Sequence, residues 1–290
     1  MTESESCCEP TCCTPETPSQ ANDALSADTI RQNVREDYAK VAQASNDSGA
    51  CGVESSCCGV SDDSALNTLI STRLGYSEDD LSAVPEGADM GLGCGNPKAI
   101  AAIQTGETVL DLGSGGGFDC FLAATETGDT GKVIGVDMTP DMISKGRSNA
   151  VKGNYHQVEF RLGEIEHLPI ANDSVDVIIS NCVINLSPDK QQVFSDAFRV
   201  LKPGGRLAIS DVVASTELPE ALRNDRELLS GCMAGASLVS DIALMLNESG
   251  FEEIKIAPKD ESREFISDWA PGRGIEEYVV SATIEAVKPS

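Results

Sequence analysis

The chain has 290 residues, 40% of them hydrophobic and 23% charged, enough for one large globular domain or two small ones with a real core, and too apolar for a disordered or fibrous protein. Twenty-one basic against 47 acidic side chains leave a formal charge of −26, which argues against nonspecific association with nucleic acid or an anionic membrane surface because either would repel it. No stretch has transmembrane length, and residues 1–10 lack the basic and apolar regions of a secretory leader, so a cytoplasmic location is expected. An acidic excess on this scale fits a halophilic-type surface, whose self-repulsion concentrated salt would screen.

Residues 1–27 are rich in Thr, Ser, Glu and Pro, show no periodicity and read as a flexible tail that carries Cys7, Cys8, Cys12 and Cys13. From Asp28 to Ala44, Ile30, Val34, Tyr38 and Val41 share one helical stripe. Ser45 to Asp63 is a polar loop with Cys51, Cys57 and Cys58; Leu66 to Leu74 is a short helix, and another turn falls within Tyr76 to Val84. The chain then alternates. Thr108–Leu112 is a strand, Gly113–Gly117 a glycine loop, Phe118–Thr127 a helix and Lys132–Val136 a second strand. Thr139 caps the next helix, with Pro140 at its first position. Val158–Leu162 and Val175–Ser180 are further strands. Ser187-Pro188-Asp189 starts a helix that ends near Leu201, before Lys202-Pro203-Gly204-Gly205 and a fifth strand, Arg206–Ser210. This order implies an α/β fold, a doubly wound, mostly parallel sheet with helices on both faces. Beyond it, Pro219 to Gly231 reads as a helix, Ser240 opens another that stops at Gly250, and Phe251–Ala257 and Glu277–Thr283 are strands suited to the sheet edge.

The glycine loop lets a ligand approach the backbone closely, and the helix N-terminus behind it favours an anionic group. By itself such a loop is shared with dinucleotide-binding domains. Asp111, just before it, suits an ammonium group and would repel a pyrophosphate, while Asp137, ending the second strand, can accept both hydroxyls of a ribose. Met138 is placed to pack on an adenine face, and Gly163-Glu164-Ile165 puts an acid where an adenine amino group can donate. Asn181 and Cys182 end the fourth strand at the crevice where such sheets bind ligands. A ligand with an amine, a carboxylate and a ribose fits S-adenosylmethionine better than a nicotinamide dinucleotide. The segments LDLGSGGG, GVDMTPDMI, GEIEHLPI, VDVIISN and RVLKPGGRLAISD, over about Thr108 to Asp211, resemble the ordered motifs of class I S-adenosylmethionine-dependent methyltransferases. That resemblance implies a Rossmann-like fold and a donor site holding Asp111, Gly113, Gly115, Asp137, Met138, Glu164, Ile165 and Asn181.

The cysteines point to the acceptor. There are 11, with only two histidines, His156 and His167, and a cytoplasmic chain this long needs no disulfides for stability. Cys120 reads as a small buried hydrophobe. Cys94 and Cys232 stand in glycine-flanked turns that would expose mobile thiols, and Cys182 stands beside the expected methyl group. Soft thiolates select soft, thiophilic ions, so Cys94, Cys182 and Cys232 converging there would bind arsenic(III) as substrate, and the arsenic lone pair needs no histidine base. SNDSGACG, GLGCGNP, ISNCVINL and SGCMAGA resemble, in order and spacing, the cysteine motifs of the arsenite methyltransferases, from about Asp28 to the C-terminus. The resemblance implies that Cys182 and Cys232 are the core arsenic ligands. It implies that Cys51, chosen over Cys57 and Cys58 for its SGAC context, joins Cys94 in substrate capture or in a disulfide during turnover. It also implies arsenite or its thiol complex as substrate, a thioredoxin-like or small-thiol reductant, arsenic detoxification and a monomer. Residues 1–27 would be the tail, 28–214 the donor-binding domain with its N-terminal helices, and 215–290 a smaller α+β region contributing to the arsenic site. The rival readings are a methyltransferase of the quinone or sterol type, which would tolerate loss of Cys182 and Cys232, and a thiol-rich sequestration protein without turnover.

Overall fold

The computed structural model describes residues 26–44 and 64–290. The Cys-bearing tail and the Ser45–Asp63 loop therefore lie outside the described residues, apart from the short stretch from Ser26. Four helices precede the first strand: α1 (Ala27–Ala44), α2 (Ser64–Arg73), α3 (Glu78–Ala83) and α4 (Lys98–Ala101). Then come β1 (Thr108–Leu112), α5 (Phe118–Thr127), β2 (Lys132–Asp137), α6 (Pro140–Gly153), β3 (Val158–Leu162), β4 (Val175–Asn181), α7 (Lys190–Val200) and β5 (Leu201–Ala214). The chain ends with α8 (Glu220–Arg223), α9 (Arg226–Ser230), α10 (Val239–Ser249), β6 (Glu252–Lys259), α11 (Arg263–Trp269) and β7 (Val279–Val287).

The sheet among these residues has seven strands in the order β3-β2-β1-β4-β5-β7-β6. The first five run parallel; β7 is antiparallel to both β5 and β6. The alternation of side chains along a strand explains the two cores. On β1, Val109 points to the side of α5, where it meets Phe121, Ile143 and Phe160. Leu110 and Leu112 point the other way, to Phe194 of α7 and Leu246 of α10. Strands buried on both faces require near-continuous Val, Ile and Leu, and VDVIIS on β4 supplies it. Strand order reverses between β1 and β4, which opens a crevice at their carboxyl ends.

Several elements differ from the sequence expectation, each for a local reason. β5 begins at Leu201 and not at Arg206. Its register on β4 jumps from Val175↔Leu201 to Val177↔Arg206, so residues 202–205 bulge out. The bulge is answered by the chain end: Gly204 N donates to Lys288 O and Lys288 N to Gly205 O, both at 2.8 Å. The helix expected from Pro219 to Gly231 is two helices, because Asp225 accepts from Glu227 N and Leu228 N and so caps a new start in its middle. Thr139 occupies the N-cap of α6 without a side-chain capping bond; its amide donates instead to Asp137. The last strand starts at Val279, two residues later than expected, and runs on to Val287, four residues past the expected end, and β6 lies outside it at the edge. α11 had no signal in the sequence reading.

Two glycines bring the loops at the carboxyl edge together. A Cβ on Gly113, whose φ is +69°, would lie 2.4 Å from Val183 Cγ2. A Cβ on Gly235 would lie 2.0 Å from Asn185 O, so the segment around Cys232 packs directly on the segment following Cys182. Gly235→Ala must push that backbone away, and it is expected to lower stability by about 1–3 kcal/mol. The check is a reduced urea midpoint at unchanged slope.

Candidate active site

The crevice is a cleft enclosing about 1090 Å³, its solvent-open mouth included. Its floor is the glycine loop; Asp111, Asp137, Met138, Ile165, Asn181 and Cys182 all line it. Across the mouth lies α1, which contributes Arg31, Val34 and Tyr38. Asp137 is fixed by two backbone amides, Gly115 N to Oδ2 at 3.0 Å and Thr139 N to Oδ1 at 2.8 Å. Asp111 is 3% exposed, and its one hydrogen bond among the described residues comes from the Cys120 thiol, at 3.2 Å. Burial, with the neighbouring Asp119 charge, pushes Asp111 well above the usual carboxylate range.

Asn181 connects this cleft to a second centre. Its Nδ2 lies 3.0 Å from Tyr76 Oη, 2.9 Å from Gly95 O and 3.1 Å from Asp119 Oδ2, while its Oδ1 accepts from Cys94 N at 3.0 Å. Tyr76 donates to the other oxygen of Asp119 at 2.6 Å. Burial raises Asp119 to about 6, although both of these bonds favour its charged form.

The second centre holds three thiols. Cys94, Cys182 and Cys232 are 1%, 6% and 3% exposed and share one apolar cluster with Leu186, Leu228 and Met233. The sequence expectation of exposed, mobile thiols at Cys94 and Cys232 is thus corrected. The glycines beside these residues serve close packing, and β7 holds the Cys94 turn through Ser281 Oγ, which donates to Cys94 O at 2.8 Å. Cys182 neighbours both others: its Sγ and that of Cys94 lie within 4.8 Å of each other, and all three residues share the one cluster. Cys232 Sγ also meets the Cys182 carbonyl and lies 3.8 Å from Tyr38 Oη. Cys182 and Cys232 both have left-handed backbones, φ +60° and +62°, an uncommon state for a residue with a Cβ. Burial lifts Cys94 to about 11. For Cys182 the bond with Cys232 favours the thiolate, but the bond with Cys94 and burial outweigh it and the thiol is pushed well up. Cys232 is pushed well up by its bond with Cys182 and by burial.

A carboxylate absent from the sequence reading completes this centre. An oxygen of Asp211, Cys94 Sγ and Cys182 Sγ all lie within 4.8 Å of one another. Asp211 accepts from Ile184 N, Asn185 Nδ2 and Val212 N at 2.7–2.9 Å, yet burial still raises it to about 7. Asp119, Tyr76 and Tyr38 also escaped the sequence reading. Asp119 stands two residues after the glycine loop, and Asp211 lies near the carboxyl end of β5 as Asp111 does on β1, so position at the carboxyl edge was the available signal. Glu164 does not line the cleft. Its carboxylate pairs with Arg35 at 3.2 Å and Arg31 at 3.5 Å, and the acid lining the cleft there is Glu166, which accepts from Arg31 and from Ser187 Oγ. Cys120 is fully buried as expected, and Cys51 lies outside the described residues.

A methyltransferase-domain family model matches residues 103–257. An arsenite methyltransferase of Halobacterium salinarum is 57% identical over 283 residues, covering 94% of this chain and 71% of that protein. One from Aquipseudomonas alcaligenes is 38% identical over 78% of this chain and 63% of its own length, so the chain spans less than two thirds of that relative. Among solved structures, an arsenic(III) S-adenosylmethionine methyltransferase from Chlamydomonas reinhardtii matches with a TM-score of 0.56 and 32% identity, covering 76% of this chain and 73% of that one.

The raised carboxylates fix a pH response. A buried acid whose folded pKa exceeds its unfolded value binds extra protons in the folded state, so stability falls as pH rises through that window and returns as pH drops. For Asp119 and Asp211 the window runs from the ordinary 3.8 to about 6 and about 7. The ligand-free chain is expected to melt higher at pH about 5.5 than at about 7.5. Relief of the −26 surface charge acts in the same direction, so the comparison is with Asp119→Asn and Asp211→Asn, each of which flattens the profile.

Proposed function

The chain belongs to the arsenite methyltransferases, and we propose that it moves methyl groups from S-adenosylmethionine to trivalent arsenic held by Cys94, Cys182 and Cys232. The observation that carries this reading is that Cys182 lines the cleft and at the same time neighbours the other two thiols, Cys94 Sγ within 4.8 Å of its own Sγ and Cys232 Sγ on its carbonyl. The cleft fits the donor: Asp111 is a buried carboxylate without an ion pair among the described residues, and Gly113 and Gly115, both in left-handed turns, bring no side chains of their own to the loop.

When bound, the donor supplies an electrophilic methyl group on a sulfonium. Asp111 holds its ammonium, Asp137 its ribose hydroxyls, and Met138 and Ile165 flank its base. The glycine loop, with Gly113 and Gly115, follows its backbone closely. Asn181 keeps Cys182 and the Cys94 turn at one spacing. Thiols with raised pKa values meet arsenite protonated, and this does not block loading. Each thiol replaces one hydroxyl on arsenic, its proton leaves with that hydroxyl as water, and no net charge is buried. Thiol ligation keeps arsenic trivalent with its lone pair free, while Val34, Val183 and Leu186 exclude water from the reacting atoms. Residues 28–214 carry the donor site and residues 215–290 contribute Cys232. Cys51 joins Cys94 in capture or closes a disulfide with it, which an external thiol, small or thioredoxin-like, reopens. The reaction serves arsenic detoxification in the cytoplasm, by a monomer. No helix among the described residues is long and apolar enough to cross a membrane.

The test is an assay with S-adenosylmethionine, arsenite and a thiol reductant, reading methylated arsenicals by chromatography with element-specific detection. Cys182→Ser and Cys232→Ser are expected to lose methylation by about a hundredfold or more while binding the donor as before. Normal turnover by either variant defeats the assignment. The −26 charge belongs to a halophilic-type surface, so thermal stability is expected to rise with potassium chloride from about 0.1 M to about 2 M, and a flat or falling melting curve contradicts it.

A further inference from the structure

Among the described residues the cleft is lined by five carboxylates, those of Asp89, Asp111, Asp119, Asp137 and Glu166, and by one basic side chain, Arg31. Arg31 is engaged by Glu166 at 2.9 Å and Glu164 at 3.5 Å. The other four acids form no ion pair with a described residue. Backbone amides answer Asp137, and Gly91 N with Ser71 Oγ answers Asp89. Asp119 is 7% exposed and receives only the neutral donors Tyr76 Oη and Asn181 Nδ2. It stands in the first turn of α5, whose N-terminus favours a negative charge. Neutral donors solvate a carboxylate but leave its charge uncancelled. Such an arrangement is most stable when an occupant brings the missing positive charge into the low-dielectric cleft.

The donor and its product differ in that property. The donor has a sulfonium, an ammonium and a carboxylate, and a net charge of about +1 near neutral pH. When the methyl carbon leaves, the bonding pair stays on sulfur and the product is a neutral thioether zwitterion. Resting on the donor reading above, we infer that Asp119 is the charge-selective residue of the donor site: its carboxylate, fixed beside Asp111 by Tyr76 and Asn181, favours the sulfonium ligand over the thioether left after transfer. The reaction thereby loosens its own by-product, because the charge that Asp119 attracts departs with the methyl group. Asp111 is not equivalent in this respect. The ammonium it faces is present before and after transfer, so its contribution is common to both ligands.

Calorimetric titration of the full chain tests this without any methylation readout. The ligands are S-adenosylmethionine, S-adenosylhomocysteine and sinefungin, in which a protonated amine stands in the place of the sulfonium methyl. Asp119→Asn is expected to weaken the two cationic ligands about tenfold and to leave S-adenosylhomocysteine within about twofold. An equal loss for all three, as a merely structural role would give, overturns the inference, as does an unchanged ratio. Should that variant not fold, Asp119→Glu decides: retaining the carboxylate, it is expected to keep the wild-type ratio within about threefold, and collapse of the ratio overturns the inference. If the unmodified chain binds none of the three, the donor reading fails and takes this inference with it. Binding of all three with no selective effect of Asp119→Asn removes the inference alone.

Discussion

The amide of Asn181 is the joint on which the site depends. It ends the central strand β4, immediately before Cys182, and engages Tyr76, Gly95, Asp119 and the Cys94 amide. These partners come from the N-terminal helices, the turn before β1 and the helix after the glycine loop, segments that share no local structure. A parallel sheet delivers its strand ends to one edge, but it does not fix the distance between the loops that leave them. A planar group with donors on one side and an acceptor on the other does so. It holds the turn carrying one thiol at a set distance from the strand end carrying another, and it ties both to a carboxylate of the donor cleft.

Around that joint the molecule keeps an unusual amount of polar chemistry out of water. The acids differ in how they are tolerated. Asp137 and Asp211 are each bound by at least two backbone amides, which are fixed by the fold itself. Asp111 and Asp119 rely on side chains, a thiol in one case and a phenol with an amide in the other. The first pair suits a scaffold that is the same with or without ligand. The second pair is incompletely satisfied until a cation arrives. Unsatisfied charge of this kind costs stability, and the two cores on either side of the sheet offset it. The thiols follow a parallel logic. They are buried as neutral groups in an apolar cluster, which is the inexpensive form of a cysteine, and ligand exchange on arsenic does not require a free thiolate to accumulate.

What the sequence made legible follows from the range of the interaction responsible. The strands β1 to β4 and the glycine loop were readable because short runs rich in Val, Ile and Leu, and clustered glycines, are local signals with local causes. The cleft residues Asp111, Asp137 and Asn181 were readable for the same reason, since each sits at or beside a strand end. Glu164 was placed by position in the motif, but Arg31 and Arg35 on a helix about 130 residues away draw its side chain aside, and Glu166 lines the cleft. The burial of Cys94 and Cys232 was equally hidden, because glycine-flanked turns look mobile until the Asn185 carbonyl and the last strand are seen against them. Asp211 went unnoticed since its neighbours in sequence give no hint of two thiols brought near it from elsewhere.

The hydrogen bond from Ser281 to the Cys94 carbonyl spans 187 residues and sets an order of events during synthesis. β7 inserts between β5 and β6, so the sheet cannot close until residues 279–287 are free of the ribosome. The strands β1 to β4 are translated well before that and can pair among themselves, while the Cys94 turn waits for a segment not yet made. A nascent chain can therefore have much of the glycine-loop cleft while its three thiols are not yet held together. The turn that carries Cys94 is thus fastened only after residue 281 has been made, although it precedes every strand of the sheet.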